Sequence, residues 1–151
     1  MTAPLPQTAE QDAYAMVDLI TPFAHDMLRR YRAFVPVGAG VDHAGQVVPF
    51  AARPGDAQDT ADAFAVMLDQ LRGDRDNWRA VCLAVDTTNP EYGDTIEFHL
   101  DFAGGTTGLV LVLPYRPGGL WRGPVFADPI TMPGPAFVYG DPLDPDGAED
   151  R

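Results

Sequence analysis

The chain has no lysine. Its 10 basic residues are all arginine and stand against 22 acids, 18 of them aspartate, for a formal net charge of −12. Such a charge repels phosphate backbones and anionic lipid surfaces, which argues against nucleic-acid binding and against membrane attachment. It suits a cytoplasmic protein, or one that meets a basic partner. The usage of Ala, Arg, Asp, Gly and Pro without Lys points to a GC-rich bacterial genome. Cysteine is nearly missing too. Cys82 stands alone, so it has no partner for an internal disulfide and nothing indicates an oxidising compartment. No apolar run approaches the roughly 18 residues of a membrane span. The run Leu109 to Leu113 has the length of a buried strand. The first residues place no basic cluster before an apolar stretch, so they do not read as a secretory leader. Also lacking are the spacings that announce chemistry: a Gly-rich loop ending in Lys, paired metal ligands, or a nucleophile beside a base. No cofactor is expected.

What is present describes one domain. At 151 residues the chain has the size of a single hydrophobic core, and 46% hydrophobic residues with 8 Phe, 5 Tyr and 2 Trp supply the material for it. Residues 1–8 read as a flexible lead-in, residues 9–140 as an α+β domain, and residues 141–151 as a disordered acidic tail with five acids and two prolines.

From Gln11 to Ala33, Ala13, Val17, Ile20, Ala24, Met27 and Tyr31 recur at helical spacing. Pro22 lacks the amide hydrogen that would bond the Asp18 carbonyl, so a kink is expected, or two helices with Thr21 as cap. Phe34 to Val41 and Gln46 to Ala52 form a hairpin around Asp42-His43-Ala44-Gly45, which fits a type I turn. Pro49 assigns the second strand to a sheet edge, and Gly38 and Gly40 suggest a bulge or a close overlying helix in the first. A second helix runs from Asp56 or Asp59 to about Arg72, with Ala61, Phe64, Ala65, Leu68 and Leu71 on one face. Three strands follow: Trp78 to Asp86, Thr95 to Phe102 and Leu109 to Tyr115. In the middle one Ile96, Phe98, Leu100 and Phe102 alternate with Thr95, Glu97, His99 and Asp101.

Pairing each hairpin and docking the first strand on the last gives a five-stranded antiparallel sheet in the order 2-1-5-4-3 with two helices. That order puts Pro49 at an edge and the apolar Leu109 to Leu113 in the centre. It resembles the topology of profilin-like domains, the group that includes roadblock-type and PAS-type folds. The stretches FVPVGAGVDHAGQV (Phe34 to Val47), LVLPYRP (Leu111 to Pro117) and PVFADP are similar to those of a set of small bacterial α+β proteins of uncharacterised activity. In that set a like hairpin follows a first helix and a Leu-Pro-Tyr strand closes the sheet. The resemblance implies a fold and carries no activity.

Two groups of residues are candidate sites. Glu97, His99 and Asp101 share one strand face, and pairing Thr88 with Thr95 would add Asp86 opposite Glu97. A histidine among carboxylates is a set that holds a divalent ion or orients an imidazole as a general base. The plainer reading is a solvated polar strand face. Trp121, flanked by Arg116 and Arg122 on a Gly-rich loop, has the composition of a partner-binding hot spot, or of a ring folded back over the sheet edge. Cys82, between Val81 and Leu83, reads as a buried inert thiol. His25 and His43 lie on other elements, without a motif to join them to His99. The reading that follows is a non-enzymatic protein-binding or regulatory module. The alternative is a small-ligand or metal-binding protein, or a hydrolase, built on Glu97, His99, Asp101 and Asp86. A homodimer through the sheet edge is the third expectation.

Overall fold

Five consecutive residues of one strand, Ala80 to Ala84, are fully buried although neighbouring side chains in a strand point to opposite faces. Such a strand must lie inside a sheet covered on both sides, and the architecture is built around it. The computed structural model describes residues 7–31, 36–51, 60–104, 107–116, 118 and 122–140. The elements are α1 (Gln7–Tyr31), β1 (Val37–Asp42), β2 (Val47–Ala51), α2 (Thr60–Gly73), a short 3-10 turn (Arg75–Asn77), β3 (Trp78–Asn89), β4 (Gly93–Phe102), β5 (Gly108–Arg116), β6 (Val125–Phe126) and β7 (Ile130–Gly134).

The class is α+β, with two helices among the described residues. The strand order is not the expected one. The sheet runs β2-β1-β3-β4-β5-β6, with β7 also paired to β5, and it curls into a half-barrel. The first strand therefore docks on the third, not on the fifth, and the profilin-like order 2-1-5-4-3 does not hold. The reason lies in the apolar patterns. Ala80 to Ala84 is apolar on both faces, the pattern a strand between two helical layers needs. Leu109 and Val110 of β5 are only half buried, and β7 pairs along Gly108 to Val112 of β5 while β6 pairs at Tyr115 and Arg116. Every neighbouring pair is antiparallel. Pro49 does fall on an edge strand, as its missing amide hydrogen asks.

The two helices cover opposite faces. On one side Met16, Ile20, Ala24 and Leu28 of α1 meet Ala39, Ala80, Cys82, Ala84, Phe98 and Leu111. On the other, Met67 and Leu71 of α2 pack with Val81, Leu83 and Val138. Small residues on β1 and β3 let α1 approach the sheet closely. The helix also runs as one element through Pro22, so the two-helix alternative does not hold. Pro inside a helix costs about 3 kcal/mol, whereas burying Met16, Ile20 and Leu28 contributes about 1.5–3 kcal/mol each, on both sides of the proline. Burial wins.

Gly40 of β1 faces α2's side, where the Trp78 ring lies so close that a Cβ would sit 2.6 Å from it. The glycine thus marks a close overlying ring of a strand residue, not a bulge in β1 or a close overlying helix. An irregularity does exist opposite it: Val41 pairs with Ala80 and Asp42 with Trp78, which leaves Arg79 as the extra residue of β3.

Of the predicted lead-in, residues 1–6 lie outside the described residues, and α1 already begins at Gln7. The predicted acidic tail, residues 141–151, also lies outside them.

Candidate functional site

Strand β4 alternates as its sequence does. Ile96, Phe98, Leu100 and Phe102 are buried under α1, and Thr95, Glu97, His99 and Asp101 point to the opposite face. That second face is not simply wet. Thr95 and Asp101 have no exposed surface, and Glu97 and His99 are about one-quarter exposed at their side chains, 23% and 25%.

Two elements cover it. Phe64 of α2 sets its ring 5.8 Å from the His99 ring, and Phe137 sets its own at 6.2 Å, both edge-on. Phe137 belongs to a turn at residues 136–140, closed by a hydrogen bond from the Gly140 amide to the Ala136 carbonyl. The turn is bound to the rest of the fold from several directions. Asp101 Oδ2 accepts the amides of Val138 (2.8 Å) and Tyr139 (2.9 Å), while Oδ1 accepts that of Phe102 (2.9 Å). Arg72 Nε donates to the Phe137 carbonyl, Arg75 Nη1 to the Val138 carbonyl, and the Tyr139 hydroxyl to the Trp78 carbonyl.

Electrostatics follow from this packing. Burial pushes the Asp101 carboxyl above its ordinary range, opposed by the three amides that favour its charge. Burial likewise lowers His99, opposed by Glu97, whose Oε1 lies 3.4 Å from His99 Nε2. Burial raises the Tyr139 hydroxyl, with Asp101 and Asp76 adding to the rise. Asp101 acts as an acceptor for main-chain amides. His99 fills the wedge between two phenyl rings, its Nε2 directed to Glu97.

The fourth member of the predicted set is elsewhere. The observed register pairs Thr87 with Thr95, not Thr88, so Val85 faces Glu97, Leu83 faces His99 and Val81 faces Asp101. Asp86 consequently lies on α1's face, where it accepts a 2.6 Å hydrogen bond from the Tyr115 hydroxyl. A one-residue difference in pairing exchanges the faces of a whole strand. Here the difference is set by the turn: Asn89 pairs with Gly93, the Asn89 side chain accepts the amides of Glu91 and Tyr92, and Gly93 takes a φ of 79°. Ala80 and Ala84 move with Asp86 and sit beneath α1.

The remaining candidates are dispersed. His25 packs edge-on against Phe126, and His43 Nε2 is 2.8 Å from the Asp76 carbonyl. Cys82 is buried in the α1 core, where burial pushes its thiol far up. Among the described residues no three His, Cys, Asp or Glu side chains gather as a metal site would require. Arg116 and Arg122 are exposed, and Trp121 lies outside the described residues.

Sequence reasoning missed two features. The turn at residues 136–140 has its signal in the apolar run Ala136-Phe137-Val138-Tyr139 after Pro135. The other is a bidentate pair. Arg79 Nε and Nη2 lie 2.8 and 2.9 Å from the two oxygens of Asp12, which is 6% exposed and stands one turn before Met16 on the buried stripe of α1. An acid at such a position needs a partner, and the extra residue of β3 supplies it.

Comparison with known proteins adds nothing to these observations: no protein-family model, curated protein or solved structure matches the chain.

Proposed function

We propose that this chain is a non-enzymatic protein-binding module. One observation carries the reading: the side chains on β4 best equipped for chemistry are engaged in holding the fold together. Asp101 accepts three main-chain amides, and His99 is wedged between Phe64 and Phe137. A general base or metal ligand needs free lone pairs aimed at an open space. The net charge of −12 favours a partner of opposite charge.

The test uses the full chain as bait in a bacterial lysate, followed by reconstitution with each purified candidate. A specific complex that weakens as salt rises, and that Glu97→Gln and His99→Gln leave intact, is the expected result. The alternative retains one foothold, because Glu97 and His99 are partly exposed and 3.4 Å apart. Stoichiometric Zn²⁺ or Mn²⁺ uptake, or hydrolysis of a model ester, lost in His99→Gln would replace the binding module with that alternative.

A further inference from the structure

On the α2 side of the sheet a concavity of about 360 Å³ opens between β2 and the end of α2. Cavities that hold small ligands or anchor side chains start at about 300 Å³. Its wall is apolar and aromatic: Val48 and Phe50 of β2, Leu71 of α2, and Trp78 at the start of β3. Its polar lining comes from Gln70 and Asp74, both exposed.

The aromatic wall is held in place. Gly38 and Gly40 leave room for Phe50 and Trp78 to lie directly on β1. The two rings are 6.1 Å apart, and the Tyr139 hydroxyl anchors the Trp78 main chain. Asp74, by contrast, holds an N-cap position at the 3-10 turn, yet its side chain makes no capping hydrogen bond. The adjacent cations are committed elsewhere, Arg72 to the Phe137 carbonyl and Arg75 to the Val138 carbonyl.

The charged group lining this space is an acid, on a chain whose net charge repels anions. A fitting occupant has a cationic head for Asp74, a flat face for Trp78 and Phe50, and an apolar stem for Val48 and Leu71. Arginine combines all three, since a guanidinium stacks on aromatic rings and pairs with a carboxylate in a planar fork. We propose that this concavity receives an arginine side chain of the protein partner, an inference that rests on the protein-binding reading above.

The experiment titrates the full ¹⁵N-labelled chain with N-acetyl-arginine methylamide, and in parallel with the lysine and glutamate equivalents. The expected result is saturable shifts at the Trp78 indole and the Gln70 and Asp74 amides, tightest for arginine. Asp74→Asn, at an exposed position without a capping bond, should keep the native spectrum and weaken binding about threefold to tenfold. Absence of shifts, or an unchanged titration in Asp74→Asn, overturns the site. The same variant is then compared in partner capture. Undiminished capture removes the concavity from recognition and leaves the binding module standing. A specific arginine titration beside a bait that captures no partner retires the protein-binding reading while the guanidinium site survives it.

Discussion

Replacing Asp101 with Ala tests the central structural claim most directly. The substitution removes the acceptor of three main-chain amides at a position with no exposed surface. Each buried donor left unsatisfied costs about 1–3 kcal/mol. Val138 is itself fully buried, so water does not readily replace the carboxylate there. Against this stands the relief of no longer burying a charge, which is worth several kcal/mol in the opposite direction. The difference should leave a net loss of about 3 kcal/mol, a large share of the 5–15 kcal/mol typical of a domain and about 10 °C in Tm at this size. Asp101→Asn should cost less, because its carbonyl oxygen still accepts the amides of Val138 and Tyr139 while its NH₂ group faces the Phe102 donor. Urea denaturation measures the loss, and hydrogen exchange localises it: the Val138 and Tyr139 amides should lose protection before β3 and β4 do. A loss below about 1 kcal/mol for the alanine variant, or retained protection at residues 138 and 139, would refute the reasoning.

Two further outcomes follow from the same packing. Burial holds His99 below its ordinary pKa, so the folded state binds fewer protons than the unfolded one and stability should fall as pH drops below about 6.5. In His99→Gln that part of the pH slope should vanish from urea midpoints taken between pH 5 and 7.5, and an unchanged slope would assign the titration to another group. Gly40→Ala ought to gain slightly from strand propensity, yet its Cβ would lie 2.6 Å from the Trp78 ring. Displacing the ring should produce a net loss of about 1–3 kcal/mol and a red-shifted Trp78 emission in a Trp121→Phe background, whereas a stabilised variant would show that the ring moves freely.

How far the molecule was legible beforehand depended on whether a signal was local. The Asp42 hairpin turn, the alternation of β4, the stripe of α1 from Ala13 to Met27 and the edge position of Pro49 are all written within a few residues and are found where their patterns placed them, whereas Tyr31, the last residue of that stripe, is exposed. Strand order is not local. The apolar runs at Ala80 to Ala84 and Leu109 to Leu113 compete for the centre of the sheet, and their compositions differ too little to choose between them without knowing what covers each face. The candidate site suffered from an even smaller ambiguity. Whether Thr87 or Thr88 lies opposite Thr95 depends on how Asn89 and Gly93 close a short turn, and that choice sends Asp86 to one face or the other. Asp101 reads in the sequence as a ligand-set member or a solvated strand acid, and its burial was not legible because two of its three amide partners lie nearly forty positions away and main-chain donors carry no side-chain signature.

The tie between Asp101 and the turn at residues 136–140 also bears on the order in which the chain can be completed during synthesis. Strands β1 to β5 precede that turn in the chain, so a sheet formed without it holds a buried carboxylate that receives only the neighbouring Phe102 amide. Only the arrival of Val138 and Tyr139 makes that arrangement favourable. A nascent chain halted short of Tyr139 should therefore be a readier substrate for chaperones and proteases than the finished one.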